Sequence, residues 1–164
     1  MSQASSHIEW CLSKAKKEIE QGKKHRGLIN IESDVNKAES HLKKAEHNFN
    51  AIEYFHEGNY SDWSASAAFY TIYHCFLAIL AKYGYESRNQ ECTISVIQYL
   101  KEQKKLDIDD KFIIALKQNE KDTIIELRED IQYGIETMTK KSIINQLKQT
   151  CSEIINIAKE EIYK

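Results

Sequence analysis

The chemically capable side chains in this sequence stand where polar groups are out of place. In the stretch SDWSASAAFYTIYHCFLAILAKYG no acid, lysine or arginine occurs between Asp62 and Lys82, yet His74 sits in its middle with Tyr70 and Tyr73 close by. An imidazole titrates at about 6.5 when unperturbed, so it can move protons, join a hydrogen-bond network or ligate a metal. Within an apolar wall its bland role is a core histidine with a satisfied hydrogen bond, and its functional role is to line a groove beside the two phenols. Arg128, in LREDIQYG, is the second such group. At about 100° per residue it falls on the edge of a stripe made by Ile124, Ile131 and Ile135. A guanidinium there is a structural ion pair, a side chain that snorkels to water, or a phosphate-facing group in a cleft. Tyr133 lies about 140° away around the same helix and does not share that face. A third place is Arg88-Asn89, before a helix that Glu91 and Cys92 open. An arginine beside a helix N-terminus can bind an anion, and the same residues also suit a plain capping turn with a solvated arginine.

Other signals are weaker. Lys23, Lys24, His25 and Arg26 stand together between Gly22 and Gly27. They could touch RNA phosphates, but no aromatics are interleaved to stack bases, and a solvated loop explains them. His41 and His47 point to different faces of a helix. No set of His, Cys, Asp and Glu has zinc spacing, and there is neither a glycine-rich phosphate loop nor a Gly-x-Ser-x-Gly turn. Neither a metal nor a cofactor is therefore expected. Cys11, Cys75, Cys92 and Cys151 are widely spaced with no Cys-x-x-Cys pair, and read as reduced, mostly buried thiols of a cytoplasmic protein. MSQASSHIEW lacks a basic region followed by an apolar run, so no signal peptide is expected.

These groups need elements to position them. The 164 residues, 41% hydrophobic and 29% charged with a net charge of -2, suit one globular domain without a global basic bias. There are 5 Gly and no Pro, so nothing interrupts long helices. The predicted fold class is all-α, an antiparallel helical bundle in a single domain over residues 1–164. A first helix covers about 4–22, and KKHRGLINIE reads as a loop. Ser33 caps a second helix whose apolar stripe is Val35, Ala38, Leu42, Ala45, Phe49, Ile52 and Phe55, stopped by Gly58. Ser61 caps the third helix, which ends at Gly84. Further helices fall near 90–103, 108–118, 120–138 and 140–163, the last capped by Thr139. The third helix is long enough to cross a membrane. Ser64, Ser66, Thr71, His74 and two tyrosines argue against that, so a central helix buried on both sides is expected instead, with no membrane role.

The third helix also carries a likeness. Phe69-Tyr70, Tyr73-His74, Ala78-Ile79-Leu80 and Gly84 resemble the HEPN family, the "higher eukaryotes and prokaryotes nucleotide-binding" domain. HLKKAEHNFNAIEYFHEGNYSDW looks like that family's second element, and LREDIQY is similar to one of its later segments. The likeness runs over roughly 33–160. Residues 1–32 look like an N-terminal extension found in some archaeal members. The resemblance implies a helical bundle that is usually a homodimer. It implies, for ribonuclease members, an arginine followed five positions on by a histidine, in a cleft at the dimer interface. Here the arginine is Arg128, but Tyr133 holds the histidine's place and Ile135 that of a tyrosine two further on. Other members pair with a small nucleotidyltransferase, sometimes as toxin and antitoxin, a role that does not need the histidine.

The sequence thus leads to a non-catalytic HEPN-like binding protein, a partner of a nucleotidyltransferase. Its groove faces a nucleotide or RNA, and the candidate ligand-binding residues are Tyr70, Tyr73, His74, Arg88, Asn89 and Arg128. One rival is a metal-independent ribonuclease with a displaced active site built on Arg128 and His74. Another is a purely structural interaction module.

Overall fold

The computed structural model describes residues 1–117 and 123–164. Its elements run α1 (Gln3–Glu20), β1 (Leu28–Asn30), α2 (Val35–Glu57), α3 (Ser64–Lys82), β2 (Tyr85–Ser87), α4 (Gln90–Glu102), α5 (Asp110–Ala115), α6 (Ile124–Tyr133) and α7 (Lys141–Ile162). A single 3-10 turn, Ser61–Trp63, leads into α3. Among the described residues the fold is all-α apart from two short strands.

α3 is the core. Fourteen of its residues are buried, including Phe69, Ile72, Phe76 and Ile79, and α2, α4, α6, α7 and β2 all pack on it. It is the one helix among the described residues long and apolar enough to cross a membrane, and 72% of its most apolar stretch is buried inside the bundle. α2 runs antiparallel to α3: Ser64 Oγ donates to the Ile52 carbonyl at one end of the pair and Ser33 Oγ to the Lys82 carbonyl at the other. α7 is antiparallel to α2, with Lys148 paired to Glu53 and Lys159 to Glu46. Its Cys151 and Glu161 meet Ala68 and Tyr83, so α7 lies alongside α3 in the same direction. The three stripes of small and branched residues close the core that the periodicity required.

α1 lies outside this core and packs on α4 and β1. The segment expected to be a loop holds β1, which pairs antiparallel with β2, Leu28 opposite Ser87 and Asn30 opposite Tyr85. Two glycines allow this. A Cβ on Gly27 would stand 2.5 Å from the Cys11 carbonyl oxygen, so only glycine lets the strand pass that close beneath α1. Gly84 has φ 85, and its carbonyl accepts from Ile31 N at the edge of the ribbon.

Some boundaries move. Asp34, not Ser33, caps α2, accepting from Lys37 N at 2.9 Å. Ser61 does not cap α3; its hydroxyl accepts from Thr139 N at 2.8 Å and so ties the start of α3 to the segment before α7, whose N-cap is Lys140. The sixth helix is shorter than 120–138, because Gly134 leaves the helical region right after Tyr133. The expected end of the fifth helix at 118 and the start of the sixth at 120 lie outside the described residues.

The cysteine reading needs a correction. Cys75 and Cys151 are free and buried as expected, but Cys11 and Cys92 form a disulfide across a sequence separation of 81, with Cα atoms 6.0 Å apart. Spacing along the chain gave no sign of it, because antiparallel docking of α1 on α4 is what brings the two together.

Candidate functional site

Two clusters of polar groups flank α3. The first forms where α6 crosses it. Thr123 caps α6 by accepting from Glu126 N, Ile125 is buried, and Ile124, Leu127 and Ile131 pack on the core. That packing sets Arg128 against the aromatic entry of α3. Its guanidinium carbon stands 4.3 Å from the Phe69 ring centroid and 6.0 Å from that of Tyr70. Phe69 meets Tyr70 edge-on at 5.0 Å and stacks on Tyr73 at 6.0 Å, so the cation rests on an ordered aromatic platform. Such a contact contributes about 0.5–2 kcal/mol, depending on desolvation. It satisfies no N–H. None of the ion pairs among the described residues includes Arg128, and its Nε is buried without a hydrogen-bond partner. Across from it, Asn48 Nδ2 on α2 is likewise buried and unpartnered. Both residues line a cavity of about 620 Å³ together with Tyr70, Asp62, Ser66 and Gln132. Its rim is open and mixed, with Trp63 56% and Ile135 95% exposed beside the exposed Gln132, Glu136 and Thr137.

The second cluster lies between α2 and α3. His74 pairs with His41, Nδ1 to Nδ1 at 3.1 Å with ring centroids 5.4 Å apart. One ring donates an N–H to the bare nitrogen of the other, an arrangement open only while one nitrogen of the pair is unprotonated. Burial, then the neighbouring His41, then Lys44 push the His74 pKa down to about 4. Burial, followed by Lys37, also lowers that of His41, against the pull of Glu86. His41 borders a smaller pocket of about 220 Å³, shared with Lys37, Glu86, Tyr85 and Arg88. Glu86 holds both Lys37 and His25 there. Arg88 is exposed, with its backbone N–H donating to the Gly27 carbonyl at 3.0 Å. Asn89 is the N-cap of α4, its Oδ1 accepting from Cys92 N at 3.0 Å.

The candidate residues therefore divide. Tyr70 and Arg128 come together in the first cavity. His74 joins His41 instead, while Arg88 reaches the second pocket. Tyr73 bridges the two clusters, stacked on Phe69 with its hydroxyl 3.4 Å from Thr93, and burial raises its pKa. Tyr133 is 83% exposed and does not line the Arg128 cavity. Three participants escaped the sequence reading. Asn48 is a polar residue adjoining the α2 stripe at Phe49. His41 and His47 point to different faces of their helix, and the partner of His41, His74, lies on the next one. Phe69 reads as plain core until a cation lands on its face. One further set could hold a metal: the ligand atoms of His7, Cys11 and Cys92 all lie within 4.8 Å of one another.

A search of curated proteins finds no match to the chain. The family model for the HEPN domain matches residues 38–162, from the first turn of α2 to the last of α7. The central α3, the aromatic pair at its entry and Arg128 on α6 all fall within that match, and the chain belongs to the HEPN domain family.

Proposed function

We propose that this chain is a non-catalytic HEPN protein that binds a nucleotide or an RNA phosphate in the Arg128 cavity and acts as the partner of a nucleotidyltransferase, in a toxin–antitoxin-like pair. The observation that carries the ligand is that Arg128 and Asn48, each holding a buried donor without an acceptor, line one cavity. Two buried donors left without acceptors cost about 1–3 kcal/mol each, which favours a turn of either side chain that brings its donor to a ligand oxygen in the cavity. A guanidinium backed by an aromatic face suits an anion with a flat base beside it, since Tyr70 and Trp63 offer surfaces for stacking. The non-catalytic part rests on Tyr133, which has no imidazole to offer and stands in solvent. The nucleotidyltransferase partner rests on the family likeness alone. A homodimer belongs to the same proposal: Trp63, Tyr70 and Ile135 present exposed apolar surface around the cavity, and a second copy of the chain is the occupant that would cover it.

The experiment is a titration of the purified protein with nucleoside triphosphates and a short RNA at two salt concentrations, beside an incubation with mixed RNA. Binding that weakens as salt rises and is lost in Arg128→Ala, with the RNA left intact, is expected. Cleavage lost in both Arg128→Ala and His74→Ala would replace this reading with that of a ribonuclease. Absence of binding by any phosphate ligand would leave an interaction module.

A further inference from the structure

We propose that Cys11, Cys92 and His7 form a binding site for a soft divalent cation of the zinc(II) type once the Cys11–Cys92 disulfide is reduced. His7 and Cys11 stand one turn apart on the same face of α1, and that face meets the first turn of α4, where Cys92 lies. Both ring nitrogens of His7 are 4.0 Å from Cys11 Sγ. All three ligand groups already lie within 4.8 Å of one another, so side-chain rotation alone can place them around one ion.

The surroundings suit a metal. His7 Nδ1 stands 2.6 Å from Ser95 Oγ. With Nδ1–H donated to that hydroxyl, the lone pair of Nε2 is left bare, which is how a second hydrogen bond orients a metal-binding imidazole. Trp10 stacks on the His7 ring at 5.4 Å. Cys92 sits in the first turn of α4, where the helix dipole favours a thiolate. Both cysteines are fully buried, and two thiolates plus one divalent ion sum to zero charge, which makes burial tolerable. A cavity of about 550 Å³ lined by His7, Ser95, Gln3 and Gln98 opens on the His7 side of the site, where a fourth ligand from solvent would enter. Two sulfurs, one nitrogen and an open position is a common zinc arrangement.

Disulfide and metal compete for the same two sulfurs. A dithiol reductant transfers two electrons and two protons to the pair and itself becomes a disulfide. The cation then displaces the two thiol protons to solvent and takes the Nε2 lone pair. Either state ties α1 to α4, one covalently and one through the ion.

The test uses the full chain, reduced with a phosphine, freed of metal and titrated with cobalt(II), whose thiolate charge-transfer absorption reports sulfur ligation. We expect one equivalent to bind to the reduced protein and none to the oxidised one. Cys11→Ser and Cys92→Ser each weaken binding and lower the thiolate absorption, the double variant abolishes it, and His7→Gln weakens binding by at least about tenfold. Cys75 and Cys151 remain in every variant, so absorption that survives in the double variant would assign the metal to them and overturn the proposal. Equal binding before and after reduction, or none after it, would overturn it too. Should a cysteine variant lose its helicity, zinc protection of Cys11 and Cys92 against alkylation in the reduced wild-type chain decides instead, and unprotected thiols count against the site.

Discussion

Arg128 behaves differently from an arginine in a structural ion pair. Removing one partner of a buried pair strands the other charge and costs about 3–5 kcal/mol. Among the described residues Arg128 has no carboxylate partner, only the Phe69 and Tyr70 rings and an orphaned Nε. Arg128→Ala should therefore cost only about 1–2 kcal/mol, from lost aromatic and methylene contact. A denaturant melt showing a loss in the larger range would mean a hidden structural pair. Arg128→Lys keeps the charge but loses the planar fork, so it should retain stability and still bind a phosphate ligand more weakly than the native chain. His74 supplies a second expectation at this scale. An unfolded histidine takes up its proton near pH 6.5, and folded His74 only near about 4. Between those values the unfolded chain holds a proton the folded chain lacks, so stability is full above about pH 6.5 and falls as the pH drops towards 4. The pair is half-buried, and solvent screening holds the loss to about 1–2 kcal/mol. Melts across that window should show the decline in the native chain and a flatter profile in His74→Gln. An equal slope in both would place the acid sensitivity elsewhere.

At the scale of elements, α1 and β1 depend on a contact that has no side chain in it. Gly27 passes the Cys11 carbonyl so closely that an added Cβ would stand 2.5 Å from that oxygen and 3.1 Å from Ala15 N, both backbone atoms of one helix. Neither can yield without bending α1. Gly27→Ala should lower stability by about 1–3 kcal/mol and loosen α1 before the bundle. Hydrogen exchange would show it as early opening of α1 with α3 still protected. Helices α2, α3 and α7 were legible because each carries a stripe long enough to reveal a period. The uncharged run of α3 is long enough for a membrane, and its Ser64, Ser66, Thr71 and His74 point to a helix covered on both sides instead. β1 and β2 have three residues each, too few for a period, and their pairing joins segments that are remote along the chain. The Cys11–Cys92 bond and the His41–His74 pair were hidden for the same reason: each joins two helices, and spacing within one helix is silent about its neighbour. Arg128 was legible because a charge on an apolar stripe is anomalous within one helix. Asn48 was not, because an amide beside a stripe looks like ordinary surface until the facing helix covers it.

At the scale of the whole molecule the cavity and the proposed dimer are one question. Trp63, Tyr70 and Ile135 are exposed to 56%, 44% and 95%, and all three border the cavity that holds Arg128 and Asn48. Large apolar side chains gathered at one rim mark an interface more often than chance exposure does. If a second copy covers that rim, ligand binding and association are linked: a ligand that fits the covered cavity stabilises the dimer, and dilution weakens the ligand. Light scattering at micromolar concentration should then give twice the chain's 19.1 kDa. Ile135→Glu, at a residue whose side chain is almost wholly in solvent within one chain, should cost the isolated fold little and shift the mass towards a monomer. It should also weaken the nucleotide without touching Arg128. A monomeric mass for the native chain, or an Ile135→Glu protein that stays dimeric and binds as before, would separate the cavity from the interface and leave the ligand site complete within a single copy.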